Sequence, residues 1–320
     1  MKDLNLRPKT IRTGEVSVSQ SSEAALRGER HRLGAIEIIN AVLELVKVRI
    51  TFFVGMSAMF GYILASGGIS IKMIMPVLGI FLLSCASAAM NHYQEKYTDS
   101  LMHRTMKRPL PSGLMSPPVV LAMVLALATV GSVTIYLTGN VTALVLSLLA
   151  FFSYNVVYTP LKRSTPFAVI PGSFVGAFPV MAGWAAAGGY ILDPRLIAVA
   201  VFFFIWQIPH FWILMELYSV DYERAGFPTL RMYFNEKTIS IWIYAWTAAL
   251  AVSSFLFVTA RVMNNLLPET AVVLLGIWLV LSTFSIVRRA VDSHTLRSAF
   301  MKINIYVLAI TAVIMVDKII

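Results

Sequence analysis

Cysteine is nearly absent from this chain. Of 320 residues only Cys85 carries a thiol, and one thiol makes no intrachain disulfide. It lies in an apolar run, where a small packing residue is the plain account. Histidine is scarce too: His31, His92, His103, His210 and His294 are too scattered for a zinc motif. Charge is the largest deficit. Charged residues make up 13% of the chain and hydrophobic ones 58%, against about a quarter charged in soluble domains. Mean hydropathy is +0.76. Also missing are the alternating strands of about ten residues that a membrane barrel requires. An ordinary soluble domain, a disulfide scaffold and a barrel are excluded.

What is present is a series of apolar runs of about 20 residues, each long enough to cross a bilayer core of roughly 30 Å. They predict an all-α, polytopic membrane bundle of nine spans, near 45–66, 70–92, 117–138, 141–160, 166–187, 195–218, 238–260, 267–288 and 298–317. Residues 1–36 are polar, lack the apolar run of a signal peptide, and read as a flexible cytoplasmic tail ahead of a transmembrane domain at 37–320. Lys and Arg crowd the tail and the loops after the even-numbered spans, which makes that side and the N-terminus cytoplasmic. Topology and anionic lipid suffice to explain the net charge of +10, with no nucleic acid partner. "PGSFVGAFP" sets Gly172 and Gly176 four apart, a pattern for tight helix packing.

Three segments on the cytoplasmic side hold chemistry. In "NHYQEKYTDSLMHRTMKRPLP", Asn91, Glu95 and Asp99 share one helix face at spacings of four. An amide and two carboxylates make an oxygen-rich site for a hard cation such as Mg²⁺, which takes one or two carboxylates plus substrate phosphate oxygens. Arg104, Lys107 and Arg108 follow, and arginine suits forked phosphate contacts. A solvated loop explains the basic residues but not acids at helical spacing. In "SYNVVYTPLKRSTP", Tyr154, Tyr158 and Lys162 are four apart, with Pro160 expected to break the helix before Lys162. Lys162 and Arg163 suit a phosphate, although a Lys-Arg pair in such a loop also serves as a topology signal. In "WQIPHFWILMELYSVDYERAGFP", Trp206 and His210 share a face within the span. An intramembrane ionisable group is a functional candidate, and a hydrogen bond across the bundle accounts for it equally well. Asp221 lies just beyond that helix.

Together the three segments resemble the protoheme IX farnesyltransferase (heme O synthase) family, within the intramembrane aromatic prenyltransferases. The strings that carry the likeness are "N…E…D..M.RT..RPLPSG" at 91–113, "YTPLKRSTPFAVIPGSFVGAFPVMAGW" at 158–184 and "WQIPHFWILMELYSVDYERAGFP" at 206–228. The resemblance implies a nine-helix bundle around a central cavity open to lipid, in the bacterial cytoplasmic (inner) membrane. It implies farnesyl diphosphate and heme b as substrates, Mg²⁺ as cofactor, heme O as product, and a heme A synthase or terminal oxidase assembly factor as partner. By position, Asn91, Glu95 and Asp99 are the first metal–diphosphate motif and Asp221 belongs to the second, with Glu95, Asp99 and Asp221 as metal ligands. Arg104, Arg108, Lys162 and Arg163 are the diphosphate binders, Tyr158 and Trp206 fall in the substrate-binding set, and His210 faces the heme. The chain departs from the family pattern with Glu95 in place of Asp, Tyr97 in place of a common acid, Ala225 four residues after Asp221, and Thr229 in place of Met. Two alternatives stand: a prenyltransferase acting on a quinone precursor, which shares the metal site, and a transporter, which should show repeated halves with broken helices at mid-membrane.

Overall fold

In lipid every backbone polar group must be satisfied within its own segment, so runs of this length fold as helices. A computed structural model of the protein describes residues 34–288 and 292–320. Among them a first helix, α1 (Ala35–Leu45), is followed by nine helices long and apolar enough to cross a membrane, and no strand. These are α2 (Val48–Ser66), α3 (Ile71–Leu101), α4 (Pro117–Tyr136), α5 (Val141–Leu161), α6 (Pro166–Ala186) and α7 (Pro194–Leu217), then, after the short α8 (Ser219–Arg224), α9 (Glu236–Thr259), α10 (Leu266–Arg288) and α11 (Ser293–Ile319). The expected tail, residues 1–36, lies outside the described residues except at its end, where Ala35 and Ile36 already belong to α1.

Successive helices pack side by side, and α11 returns to α2, which closes the bundle. Lipid tails are as apolar as leucine, so helix association rests on close packing between small residues. Gly79 on α3 and Gly131 on α4 show this. A Cβ at Gly79 would lie 2.8 Å from the Gly131 carbonyl oxygen, and one at Gly131 would lie 2.9 Å from that of Gly79. Leu125, Leu148, Leu274, Leu281 and Leu308 stay exposed on the outside, where lipid covers them. Inside, Trp184, Trp212, Phe202, Phe257 and Tyr306 are fully buried.

Two helices differ from the sequence expectation in ways that build the site. Helix α3 does not stop near residue 92 but runs to Leu101. Its polar last turns are held by neighbours rather than by lipid, so hydropathy understates its length. In α5 the chain widens to a π-helical turn over Ser153–Tyr158, with the Thr159 amide bonding back to Tyr154. Pro160 therefore does not break the helix: the Lys162 amide still donates to the Tyr158 carbonyl at 2.9 Å. A wider turn relieves the clash that a proline makes with the carbonyl one turn back.

Candidate active site: a buried ion cage beside an aromatic box

The extended end of α3 carries its acids inward. Asn91, Glu95 and Asp99 are 1%, 4% and 0% exposed. Burying charge is costly unless each ion finds a partner, and each does. Arg108 Nη1 donates to both oxygens of Asp99, at 2.8 and 2.7 Å. The Thr105 hydroxyl donates to the Asp99 carbonyl at 2.9 Å and pins the loop that delivers Arg108. Lys162 forms an ion pair with Glu95. Lys47 Nζ donates to Asn91 Oδ1 at 2.8 Å, and Asn91 Nδ2 donates to the Thr159 hydroxyl at 3.3 Å. The elements α2, α3 and α5 thus converge on one cage of two carboxylates, an amide and three cations.

The two lysines respond oppositely to this place. Removal from water, with Arg108 nearby, pulls the Lys47 ammonium down to about 7. Lys162 is also desolvated, but Glu95 and the surrounding tyrosines outweigh that and raise its pKa above the ordinary lysine value. Lys47 was not among the residues picked from sequence. A lone lysine abutting an apolar span was the available signal, and its partner lies 44 residues away.

The other expected residues lie at the rim. Asp221 accepts the backbone amides of His103 and Arg104, at 3.3 and 3.2 Å, and so ties α8 to the loop after α3. The Arg104 guanidinium lies 4.7 Å over the Tyr218 ring. Arg163 donates to the Gln94 carbonyl at 2.8 Å, on α3 rather than in the cage. Among the described residues no three His, Cys, Asp or Glu side chains stand close enough to hold a metal by themselves. The donors that are present (Glu95, Asp99 and the Asn91 amide) fit Mg²⁺, whose remaining positions fall to water and substrate phosphate oxygens.

From the cage a row of rings leads into the bundle. Lys162 Nζ lies 5.3 Å over the Tyr158 ring, Tyr158 stacks on Tyr154 at 5.7 Å, and Tyr158 meets Phe211 at 5.7 Å. Gly172 makes the room, since a Cβ there would lie 2.5 Å from Tyr158 Cδ2. Gly176 does the same for Gln207, so both glycines serve packing. A cavity of about 10 Å³, room for one water, is lined by Tyr158, Lys162, Phe211, Met215 and Tyr222. Beyond Phe211 comes His210, boxed by Phe211 at 5.5 Å, Trp206 at 5.2 Å and Phe300 at 4.7 Å. Sequence reasoning also missed His92, buried on α3 with neither ring nitrogen partnered; an apolar flank of alanines and Met90 was its only signal.

The model of the UbiA prenyltransferase family matches residues 54–306. The chain belongs to that family. Within it, the chain is 31% identical to the protoheme IX farnesyltransferase of Christiangramia forsetii, over 88% of this chain and 94% of that protein. It is 32% identical to the enzyme of the same name from Nitratidesulfovibrio vulgaris, over 78% of this chain and 86% of that one. With the protein so named from Geobacter sulfurreducens it shares 36% identity, over 67% and 79%. Solved structures show the same fold at low identity. A digeranylgeranylglyceryl phosphate synthase has a TM-score of 0.72 at 14% identity, over 88% of this chain and 98% of that one. The UbiA homolog from Archaeoglobus fulgidus bound to GPP and Mg²⁺ has a TM-score of 0.62 at 15% identity, over 86% and 99%. This UbiA member is therefore an integral, multi-pass membrane prenyltransferase.

Proposed function

We propose that this UbiA-family enzyme transfers the farnesyl group of farnesyl diphosphate to a vinyl group of heme b, with addition of water, giving heme O and diphosphate. One observation carries the assignment of roles: acids and cations from α2, α3 and α5 meet in a single buried cage that opens onto aromatic rings rather than water. Likeness over nearly the full chain to proteins named protoheme IX farnesyltransferase supports the acceptor.

Breaking the allylic C1–O bond sends its electron pair onto the departing diphosphate. Arg108 and Lys162 are the fixed positive charges for that build-up, Lys47 stands beside them as a hydrogen-bond donor, and Arg104 and Arg163 stand at the rim. Such preorganised electrostatics is commonly the largest catalytic term. Glu95, Asp99 and Asn91 are the residues that would hold Mg²⁺. When bound, the ion neutralises phosphate oxygens and strengthens the leaving group. Asp221 fixes the loop that carries Arg104 and Arg108 by accepting the His103 and Arg104 amides, and lies outside the set of acids that would hold the ion. The heme vinyl π electrons form the new bond to C1. Water then adds to the cation left beside the ring and loses a proton, which completes the hydroxyethylfarnesyl group. Tyr158, Phe211 and Trp206 form a dry wall along the route, and keeping stray water from the allylic cation prevents its loss as farnesol.

The cage lies on the side where Lys and Arg concentrate, which supports a cytoplasmic placing of that side and of the N-terminus; likeness to bacterial proteins supports the inner membrane. Heme O leaves through lipid to a heme A synthase or terminal oxidase assembly factor. The test is a mass spectrum of hemes from cells that lack their own heme O synthase and express this chain. Heme O with the wild type and none with Asp99→Ala is the expected result. Prenylation of a quinone precursor instead of heme would sink the acceptor, and prenylation of nothing would sink the enzyme.

A further inference from the structure

At the end of α5 two neighbouring cations serve different places. Lys162 turns inward and pairs with Glu95. Arg163 is exposed and borders a groove between α3 and α5 on the side rich in Lys and Arg. The groove has a volume of about 380 Å³ and is lined by Gln94 of α3, Thr159 and Pro160 of α5, and Arg163 and Ser164 of the loop that follows. Arg163 Nη2 donates to the Gln94 carbonyl at 2.8 Å. A guanidinium carries several N–H donors in a planar fork, so most of them remain for a ligand. Among the described residues no carboxylate pairs with Arg163. The groove adjoins lipid rather than the inside of the bundle. On the outer side of α5, Pro160, Val156 and Phe152 are all exposed and lead from Arg163 along the span. Tyr97, one turn on from Gln94, is also exposed, and such rings collect where head groups begin. An anion with an apolar tail fits this arrangement, its phosphate on the Arg163 fork and the Ser164 hydroxyl, its chain along Pro160, Val156 and Phe152. The topology rule accounts for a cation on this side, but it asks for no groove and no apolar stripe beside it.

We infer that the groove between α3 and α5 is a binding site for an anionic phospholipid, whose phosphate Arg163 holds. Basic pockets between spans on this side of a membrane are where anionic head groups bind, and arginine gives the forked contact that phosphate takes. The site bears on the cage. Gln94 Nε2 donates to the Asn155 carbonyl, within the π turn, at 2.9 Å. Gln94 is thus tied by its side chain to α5 and by its carbonyl to Arg163. One residue on, Glu95 turns inward to Lys162. A lipid phosphate on Arg163 braces the α3–α5 junction from outside, where the Glu95–Lys162 pair closes it from inside. A ligand that binds only the folded bundle raises its stability.

The experiment places the full chain in phosphatidylcholine nanodiscs and adds phosphatidylglycerol in steps. It reads Tm, and it reads by native mass spectrometry the lipid that stays on the protein after release from the disc. The wild type should retain phosphatidylglycerol in preference to phosphatidylcholine, with Tm rising to a plateau. Arg163→Gln should lower the retained phosphatidylglycerol by about tenfold and flatten the Tm rise. Arg163→Lys keeps the charge without the fork and should recover only part of both. Val156→Gln leaves Arg163 and its bond to Gln94 in place, and should weaken retention by wetting the stripe, which keeps the test open if Arg163→Gln fails to fold. Retention and Tm rise equal to wild type in Arg163→Gln and Val156→Gln overturn the site. Displacement of the retained lipid by farnesyl diphosphate gives the groove to the prenyl donor and overturns the lipid assignment. A Tm rise of the same size with inorganic phosphate alone makes it a site for free anions and overturns it too. Heme enters none of these readouts, so this site and the proposed reaction fail separately.

Discussion

The ion cage and the His210 box solve opposite problems within one bundle. In the cage both carboxylates are paired with cations, Arg108 with Asp99 and Lys162 with Glu95, and Lys47 donates to the neutral Asn91 amide. In the box almost nothing is matched, and one hydrogen bond, between His210 Nδ1 and Asn304 Oδ1, orients a ring whose other nitrogen is idle. On the proposed roles the cage would take a guest that carries both signs, a cation and a polyanion, and its own pairs would exchange for that guest. On the same reading the box would meet an apolar guest. The difference teaches that buried polarity has two forms here, paired ions in the cage and a single orienting hydrogen bond in the box.

The sharpest way to break this contrast is to remove one sign from the cage. Asp99→Ala leaves Arg108 buried without its partner and deletes a proposed metal ligand; heme O formation should fall by about a thousandfold, with the protein still in the membrane fraction by immunoblot. Turnover within tenfold of wild type would move Asp99 to a structural role. Lys162→Met strands Glu95 and should cost about a hundredfold in turnover, with Lys162→Arg recovering part of it. Equal loss in both would mean that the size of the side chain, not its charge, matters. Gly172→Ala acts between the two regions. Its Cβ drives into the Tyr158 ring, and the overpacking should cost about 1–3 kcal/mol, read as a lower Tm in detergent.

The smallest effect sharpens the difference between the two lysines. The pKa of Lys47 is depressed to about 7, so between that value and the ordinary lysine range the unfolded chain binds the extra proton. Stability then rises with pH across that window, and the cost of burying the charged form is complete only below about 7. Lys47→Met should flatten Tm between pH 7 and pH 10 and raise it at the acid end of that window. A wild-type Tm that does not change from pH 7 to pH 10 would show that Lys47 is not desolvated.

Hydropathy located all nine spans because lipid imposes a length and a composition on each. It failed at the end of α3, where Glu95 and Asp99 continue the helix past the apolar run under the protection of Lys162 and Arg108. The helical spacing of Asn91, Glu95 and Asp99 was legible because i, i+4 is a local relation. Lys47 and Asn304 were not, because their partners lie 44 and 94 residues away in the chain. Asp221 was visible as an acid at a helix end, but its hold on the amides of His103 and Arg104 spans more than a hundred residues. The π turn in α5 had no visible signal beyond Pro160.

That turn has a genetic consequence. A π turn is an α-helix with one residue added, and one residue swings everything after it by about 100° around the axis. Deleting a single codon within 153–158 would leave a span of nearly the same length, with the same lipid face above the lesion, that still inserts. Lys162 would point away from Glu95. One codon in α5 therefore separates a working enzyme from an inert membrane bundle, and a frame-preserving deletion there should act as a null allele without the loss of protein that usually accompanies one.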